Sequence, residues 1–141
     1  MFLITFFMFM VADWHFKVVP FISSPEPIEA EEEYYVCFFT ASWCGPCQQF
    51  KRSGQLELIK EEFKVTTIDM DANPEWWKNR NVKDSSGNNV TLPGVKSIPS
   101  FWLCRKSDRW PVKRWTGSIS LQSIKQEVTK QKSVEQSLPS E

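Results

Sequence analysis

Apolar and polar positions change rhythm several times along this chain, and each change marks an element. Tyr34 to Thr40 is a continuous apolar run without alternation, as in a central strand covered on both faces. Gln48 to Phe63 has a helical period, with Phe50, Leu56, Ile59 and Phe63 available for an inner face and Gly54 expected to bend it. Val65 to Asp69 is a second strand. Asn73 before Pro74 has the chemistry of a helix start, a cap followed by proline at the first position, and predicts a helix over Glu75 to Asn81. Trp76 and Trp77 fall in that helix. Adjacent residues on a helix cannot face one way, so one is expected in the core and the other is free to be core or contact surface. Asp84 to Asn89 is rich in Ser, Gly and Asn and predicts a loop or hairpin tip. Phe101 to Cys104 and Val112 to Trp115 form a strand pair joined by the turn Arg105 to Pro111. Leu121, Ile124 and Val128 fall on one stripe of a final helix, Ser120 to Lys130.

The chain ahead of Tyr34 is patterned differently. Phe2 to Ala12 is almost wholly apolar, long enough for a signal-peptide core and short for a bilayer span. No Lys or Arg precedes it, Asp13 follows at once, and no small-x-small cleavage pattern stands nearby. Three readings stay open: export or membrane attachment through 2–12, translation from Met10, or a segment packed on the domain. The missing basic flank makes a cytoplasmic protein the favoured expectation over an exported or membrane-attached one. His15 to Phe21 suggests a short strand with Pro20 at an edge or end. Ser23 to Glu33 holds two prolines and five acids and reads as a loop or a short helix from Pro27 with a solvated acidic face. Residues after Ser133 are polar and expected to be disordered. The division is an N-terminal segment 1–13, a domain 14–132 and a tail 133–141.

A length of 141 residues suits one compact domain, expected to be a monomer. Lys plus Arg and Asp plus Glu both number 17, so no excess of basic charge argues for nucleic acid. Four cysteines are too few for a disulfide-dense secreted scaffold. Cys37 and Cys104 lie in apolar runs and read as small buried hydrophobes.

The chemistry concentrates in Trp43-Cys44-Gly45-Pro46-Cys47, between the first strand and the first helix. A thiol at a helix N-terminus is favoured as thiolate by unpaired backbone N–H groups and the dipole, which suits a redox nucleophile. The same spacing is also half of a zinc site, and an inert pair is a further alternative. A zinc site needs a second pair or a Cys/His partner at short spacing, whereas His15, Cys37 and Cys104 are single and scattered, so no metal is expected.

The element order, with these cysteines at a strand-to-helix junction, resembles the thioredoxin family over roughly Phe16 to Lys130. Three motifs carry the resemblance. Trp43-Cys44-Gly45-Pro46-Cys47 is identical to the active-site signature of thioredoxins proper. Ser97-Ile98-Pro99-Ser100-Phe101 resembles the family loop in which an Ile-Pro bond is cis beside the active site. Trp115-Thr116-Gly117 resembles the glycine turn of the substrate groove. The resemblance implies an α/β thioredoxin fold, a mixed β-sheet flanked by helices. It implies Cys44 and Cys47 as the catalytic dithiol, with Trp43, Gly45, Pro46, Ile98, Pro99 and Gly117 binding substrate. An X-Pro bond is where a cis peptide is least costly, and the backbone of Ile98 beside it would be open to an extended substrate; a plain strand-start proline is the alternative.

The expected activity is thiol-disulfide exchange that reduces protein disulfides. No nucleotide or phosphate motif is present, so no cofactor is expected and a separate reductase must supply electrons. The alternatives are an exported or membrane-tethered, partner-specific reductase, and a binding subunit marked by an exposed patch of Trp76, Trp77 or Trp110. Three positions depart from the family pattern. Phe38 stands where a buried Asp is usual, six residues before Cys44, Thr67 stands where a base often accompanies it, and the connection Asn73 to Lys96 is long. Without the acid, slower resolution of a mixed disulfide by Cys47 is expected, unless water or Asp69 takes the proton.

Overall fold

The computed structural model describes residues 33–137. The predicted segment 1–13, the strand at His15 to Phe21, most of the acidic stretch Ser23 to Glu33, and residues 138–141 lie outside the described residues.

Strands β1 (Tyr34–Thr40), β2 (Lys64–Asp69), β5 (Ser100–Arg105) and β6 (Pro111–Thr116) form one sheet in the order β2-β1-β5-β6. β1 runs parallel to β2 and antiparallel to β5, so the apolar run at Tyr34 is the interior strand the pattern predicts. Helix α1 (Gly45–Arg52) and helix α2 (Gln55–Glu62) replace the single bent helix. Gly54 separates them at φ 80°, a left-handed conformation that costs glycine little, and Ser53 closes α1 by donating its hydroxyl to the Phe50 carbonyl at 2.6 Å. Helix α3 (Leu121–Ser137) ends the described chain.

Alternation along the strands divides the core in two. Val36 and Phe38 of β1 with Phe101 and Leu103 of β5 face Phe50 of α1, Ile59 of α2 and Ile124 of α3. Cys37, Phe39, Trp102 and Cys104 face the other way, onto Met70, Leu92 and Val95.

That second face corrects the helix expected over Glu75 to Asn81. Only one turn of 3-10 helix forms, Pro74–Trp77, followed by the antiparallel strands β3 (Arg80–Lys83) and β4 (Asn89–Leu92). Asn73 does not cap; its amide donates back to the Asp69 carbonyl at 2.9 Å. Pairing of Arg80 to Lys83 with Asn89 to Leu92 outweighs the local helix signal. The tip is the predicted hairpin turn: the Asp84 carboxylate accepts from the backbone N–H of Ser86 and Asn88, and those bonds, the one from Asn88 foremost, hold its pKa down. Two bonds tether the base of the hairpin, Val95 N–H to the Trp76 carbonyl at 2.8 Å and Gly94 N–H to Asn79 Oδ1 at 3.0 Å. A Cβ on Gly94 would lie 2.6 Å from the Trp77 carbonyl carbon, so glycine is required by close approach.

Trp76 and Trp77 do not divide between core and surface. Both are half-buried against the second cluster, as is Trp110, so no exposed patch is built from them. Trp76 packs on Phe39 and Trp102 and carries the Arg80 guanidinium 3.7 Å from its ring centroid. The tail expected from Ser133 is instead helical through Ser137. Its last turns hold by ion pairs, Arg105 to Glu135 at 3.5 Å and Lys132 to Glu33 at 3.6 Å, which an apolar count does not register.

Candidate active site

At the C-terminal end of β1 the chain turns through Ala41, Ser42 and Trp43 into α1. Cys44 is the N-cap of that helix, with extended backbone (φ −80°, ψ 102°). Its sulfur accepts the Cys47 N–H at 3.2 Å, the place a capping side-chain oxygen ordinarily takes. Pro46 in the first turn has no N–H to leave unpaired and a φ already suited to the helix. One turn on, Cys47 is joined to Cys44 by a disulfide, with 5.2 Å between the Cα atoms.

Exposure differs between the two sulfurs in the expected sense. Cys47 is fully buried and Cys44 is 4% exposed, so an incoming sulfur has access only at Cys44. Gly45 and Pro46 are exposed beside it, and Trp43 is 64% exposed. The Trp43 indole donates to Asp71 Oδ1 at 2.9 Å, which fixes the ring at the rim of the disulfide. Asp71 is a residue the sequence reading missed. Thr40 pairs with Asp69, so the residues just beyond each strand meet at one end of the sheet; a correct β1/β2 register was the only signal that could have found it.

The Ile98-Pro99 bond is cis. Ile98 packs on Ala41, Cys44 and Cys47, which puts this loop on the disulfide. The Pro99 carbonyl accepts the N–H of Gly117 at 2.8 Å, and Gly117 sits at φ 87°. One hydrogen bond thus ties the proline loop to the glycine turn. All eight residues singled out in the sequence come into one neighbourhood, although they lie in three separate stretches.

Phe38 is fully buried, stacked on Phe101 at 4.8 Å and 7°, and lies against Phe50. Its register partner Thr67 is exposed. Among the described residues the buried polar side chains are Thr40 and Ser100, so no buried carboxylate takes the place of the missing acid. Asp69 is exposed and its carboxylate accepts the Asp71 N–H. Ser100 donates to the Ser97 carbonyl at 2.6 Å, whereas the Thr40 hydroxyl has no partner among the described residues. No three His, Cys, Asp or Glu side chains among the described residues converge as metal ligands, and no helix there is long and apolar enough to cross a membrane.

A chain with this arrangement can exchange disulfides: an accessible sulfur at a helix N-terminus, a buried one in bonding reach, and the Ile98-Pro99 loop packed beside them. The thioredoxin family model matches residues 24–130. Chloroplastic thioredoxin z superposes with a TM-score of 0.50 at 24% identity, covering 75% of this chain and 84% of that one. Fasciola hepatica thioredoxin gives 0.46 at 23% identity over 72% and 84%. Thioredoxin-2 of the malaria parasite, a component of that organism's protein secretion machinery, gives 0.48 at 18% over 70% and 82%.

Proposed function

Because this chain belongs to the thioredoxin family and is a thiol-disulfide oxidoreductase in the general sense, we propose that it works as a protein-disulfide reductase through Cys44 and Cys47. Cys44, as thiolate, attacks one sulfur of a substrate disulfide; a mixed disulfide forms and one substrate thiolate leaves. Cys47 then loses its proton and attacks Cys44 Sγ, which re-forms the Cys44–Cys47 disulfide and releases the second substrate thiol. Two electrons and two protons from a separate reductase restore the dithiol. Trp43, Gly45, Pro46, Ile98, Pro99 and Gly117 hold an extended substrate backbone across the accessible sulfur. The protein acts as a monomer, and a reducing direction suits a cytoplasmic setting.

The observation that carries this reading is the capping geometry: Cys44 Sγ accepts the Cys47 N–H at the start of α1, an environment that stabilises thiolate more than thiol. The test is thiol trapping across graded glutathione or dithiothreitol buffers, beside reduction of insulin disulfides. A potential near that of thioredoxin, about −270 mV, with turnover supports the reductase. A much more oxidising couple, or a dithiol that equilibrates without turning over insulin, overturns it.

A further inference from the structure

Among the described residues no buried carboxylate stands near Cys47, but a buried hydroxyl does. Thr40 ends β1, is 3% exposed, and its hydroxyl has no hydrogen-bond partner among the described residues. Buried polar groups are nearly always paired, so one that is not points to a state of the molecule in which it is.

Two contacts bracket that hydroxyl. Helix α1 runs back along β1: the Gln48 side-chain amide donates to the Ala41 carbonyl at 3.3 Å and Cys47 packs on Ala41, while farther along Phe50 lies on Phe38, 5.7 Å between ring centroids. Thr40 stands between Phe38 and Ala41 on the strand, and Cys47 lies one turn before Phe50 on the helix. Alternation gives Thr40 the same face as Val36 and Phe38, the face that α1 covers. From the contact of Phe38 with Phe50, two residues along the strand is about 6.8 Å and three residues back along the helix is about 4.5 Å. Both steps lead toward the same end of the sheet, and the unpaired hydroxyl lies beneath the buried sulfur.

Pairing of the two depends on reduction. A disulfide sulfur has no proton to donate and is a weak acceptor, whereas Cys47 as thiol or thiolate offers the hydroxyl a partner. We propose that the Thr40 hydroxyl is the hydrogen-bond partner of Cys47 while Cys44 is joined to substrate, and that it supports the attack of Cys47 on Cys44. The Cys47 thiol releases its proton to solvent, and the Thr40 O–H donates to the thiolate so formed, a charge-assisted bond that favours the ionised form. Cys47 Sγ then bonds to Cys44 Sγ, the bond from Cys44 to the substrate sulfur breaks, and the substrate leaves as a thiolate that takes up a proton. The hydroxyl neither gains nor loses a proton. The proposal rests on exchange through Cys44 and Cys47, not on its direction.

Few charges surround Cys47. On α1, Lys51 is one turn further on, with its ammonium 5.9 Å from the Phe38 ring centroid. On β2, Asp69 is the register partner of Thr40; it is exposed and accepts the Asp71 N–H. Asp71 accepts from the Trp43 indole. Ala41 and Ile98, which pack on Cys47 from the turn after β1 and from the proline loop, carry no charge.

Stopped-flow reaction of the reduced full chain with one equivalent of dithiobis(nitrobenzoate), whose thiolate is coloured, separates the steps. Attack by Cys44 frees one coloured thiolate, and attack by Cys47 on Cys44 frees the second. Thr40→Val should keep the first phase within about twofold and slow the second about tenfold, the size of one hydrogen bond to a charged group. Its second phase should level off at higher pH than that of the unaltered protein. Thr40→Ser, which restores the hydroxyl, should return the second phase to within about twofold and recover the original pH profile. Asp69→Asn should leave both phases unchanged. An unaltered second phase in Thr40→Val, a slowing that Thr40→Ser shares, or a slowing by Asp69→Asn alone overturns the proposal, as does an unaltered protein with no second phase. Insulin turnover that fails while both phases respond as described counts against the reductase reading and supports this one.

Discussion

Two cysteine pairs lie in this domain, one joined and one free, and the difference between them is one of backbone geometry. Cys44 and Cys47 are one helical turn apart with Cα atoms 5.2 Å from each other, inside the range that a disulfide bridges without strain. Cys37 and Cys104 are on the neighbouring strands β1 and β5, but Cys37 pairs with Trp102 and Cys104 with Tyr35, so the two cysteines are diagonal neighbours. Diagonal positions are about 7–8 Å apart, beyond ordinary disulfide reach. Both remain free and buried. Thiols on neighbouring strands can still be unable to join; what the active pair adds is a helix start that sets the spacing, exposes one sulfur and gives it a donor.

The comparison breaks most visibly at Cys44. Cys44→Ser should reduce insulin turnover to background, while Cys37→Ala and Cys104→Ala should each retain it within about twofold, being remote from the exchange. Turnover that depended equally on Cys37 would end the distinction between a working pair and a packing pair.

Phe38→Asp sharpens it from below. A carboxylate set among Phe50 and Phe101 loses their ring contacts and has no partner, and the expected cost is about 3–5 kcal/mol in urea unfolding at pH 7. The cost should shrink at pH 5, where burial keeps the carboxyl neutral. If Cys47 needs an acceptor for its proton, the variant should also resolve mixed disulfides faster in stopped flow, despite being less stable.

The free pair gives a pH signature. Its hydrogen bond to Cys104 and its burial push the Cys37 thiol above its ordinary pKa, and burial does the same to the Tyr35 hydroxyl. A raised acid holds its proton in the folded state after the unfolded chain has lost it. Stability is therefore full below each group's unfolded pKa and should fall at about 1.4 kcal/mol per pH unit for each, from about pH 8.5 for Cys37 and about pH 10 for Tyr35. Chemical denaturation between about pH 7 and about pH 11 would show the decline, and Cys37→Ala should flatten the part below about pH 10.

The smallest effect is expected at Thr40, whose buried hydroxyl has no partner among the described residues. Thr40→Val keeps the shape and removes the unpaired group, so thermal unfolding should show no loss, or a gain of about 1 kcal/mol.

Much of this was legible in the chain because the signals were local and strong. The apolar run at Tyr34 marks the whole of β1, and the Cys-Gly-Pro-Cys segment marks the strand-to-helix junction, although α1 starts at Gly45 and not at Gln48. The hairpin β3–β4 was not legible. Arg-Asn-Val-Lys and Asn-Val-Thr-Leu carry little apolar alternation, and Asn73-Pro74 begins a helix and a 3-10 turn equally well. Asp71 escaped because its role depends on where β2 registers against β1. The final turns of α3 escaped because charge, not burial, holds them.

The two tethers at the base of the hairpin make the stretch from Lys78 to Pro93 a closed excursion: it leaves and returns at one point of the sheet, held by Trp76 to Val95 and Asn79 to Gly94. For protein engineering this is an insertion port. Sequence grafted between Lys83 and Asn89 would be carried on a pair of strands whose roots are already clamped, on a stretch that contributes none of the eight residues gathered around Cys44. An epitope or a small folded module placed there should leave disulfide exchange at its original rate.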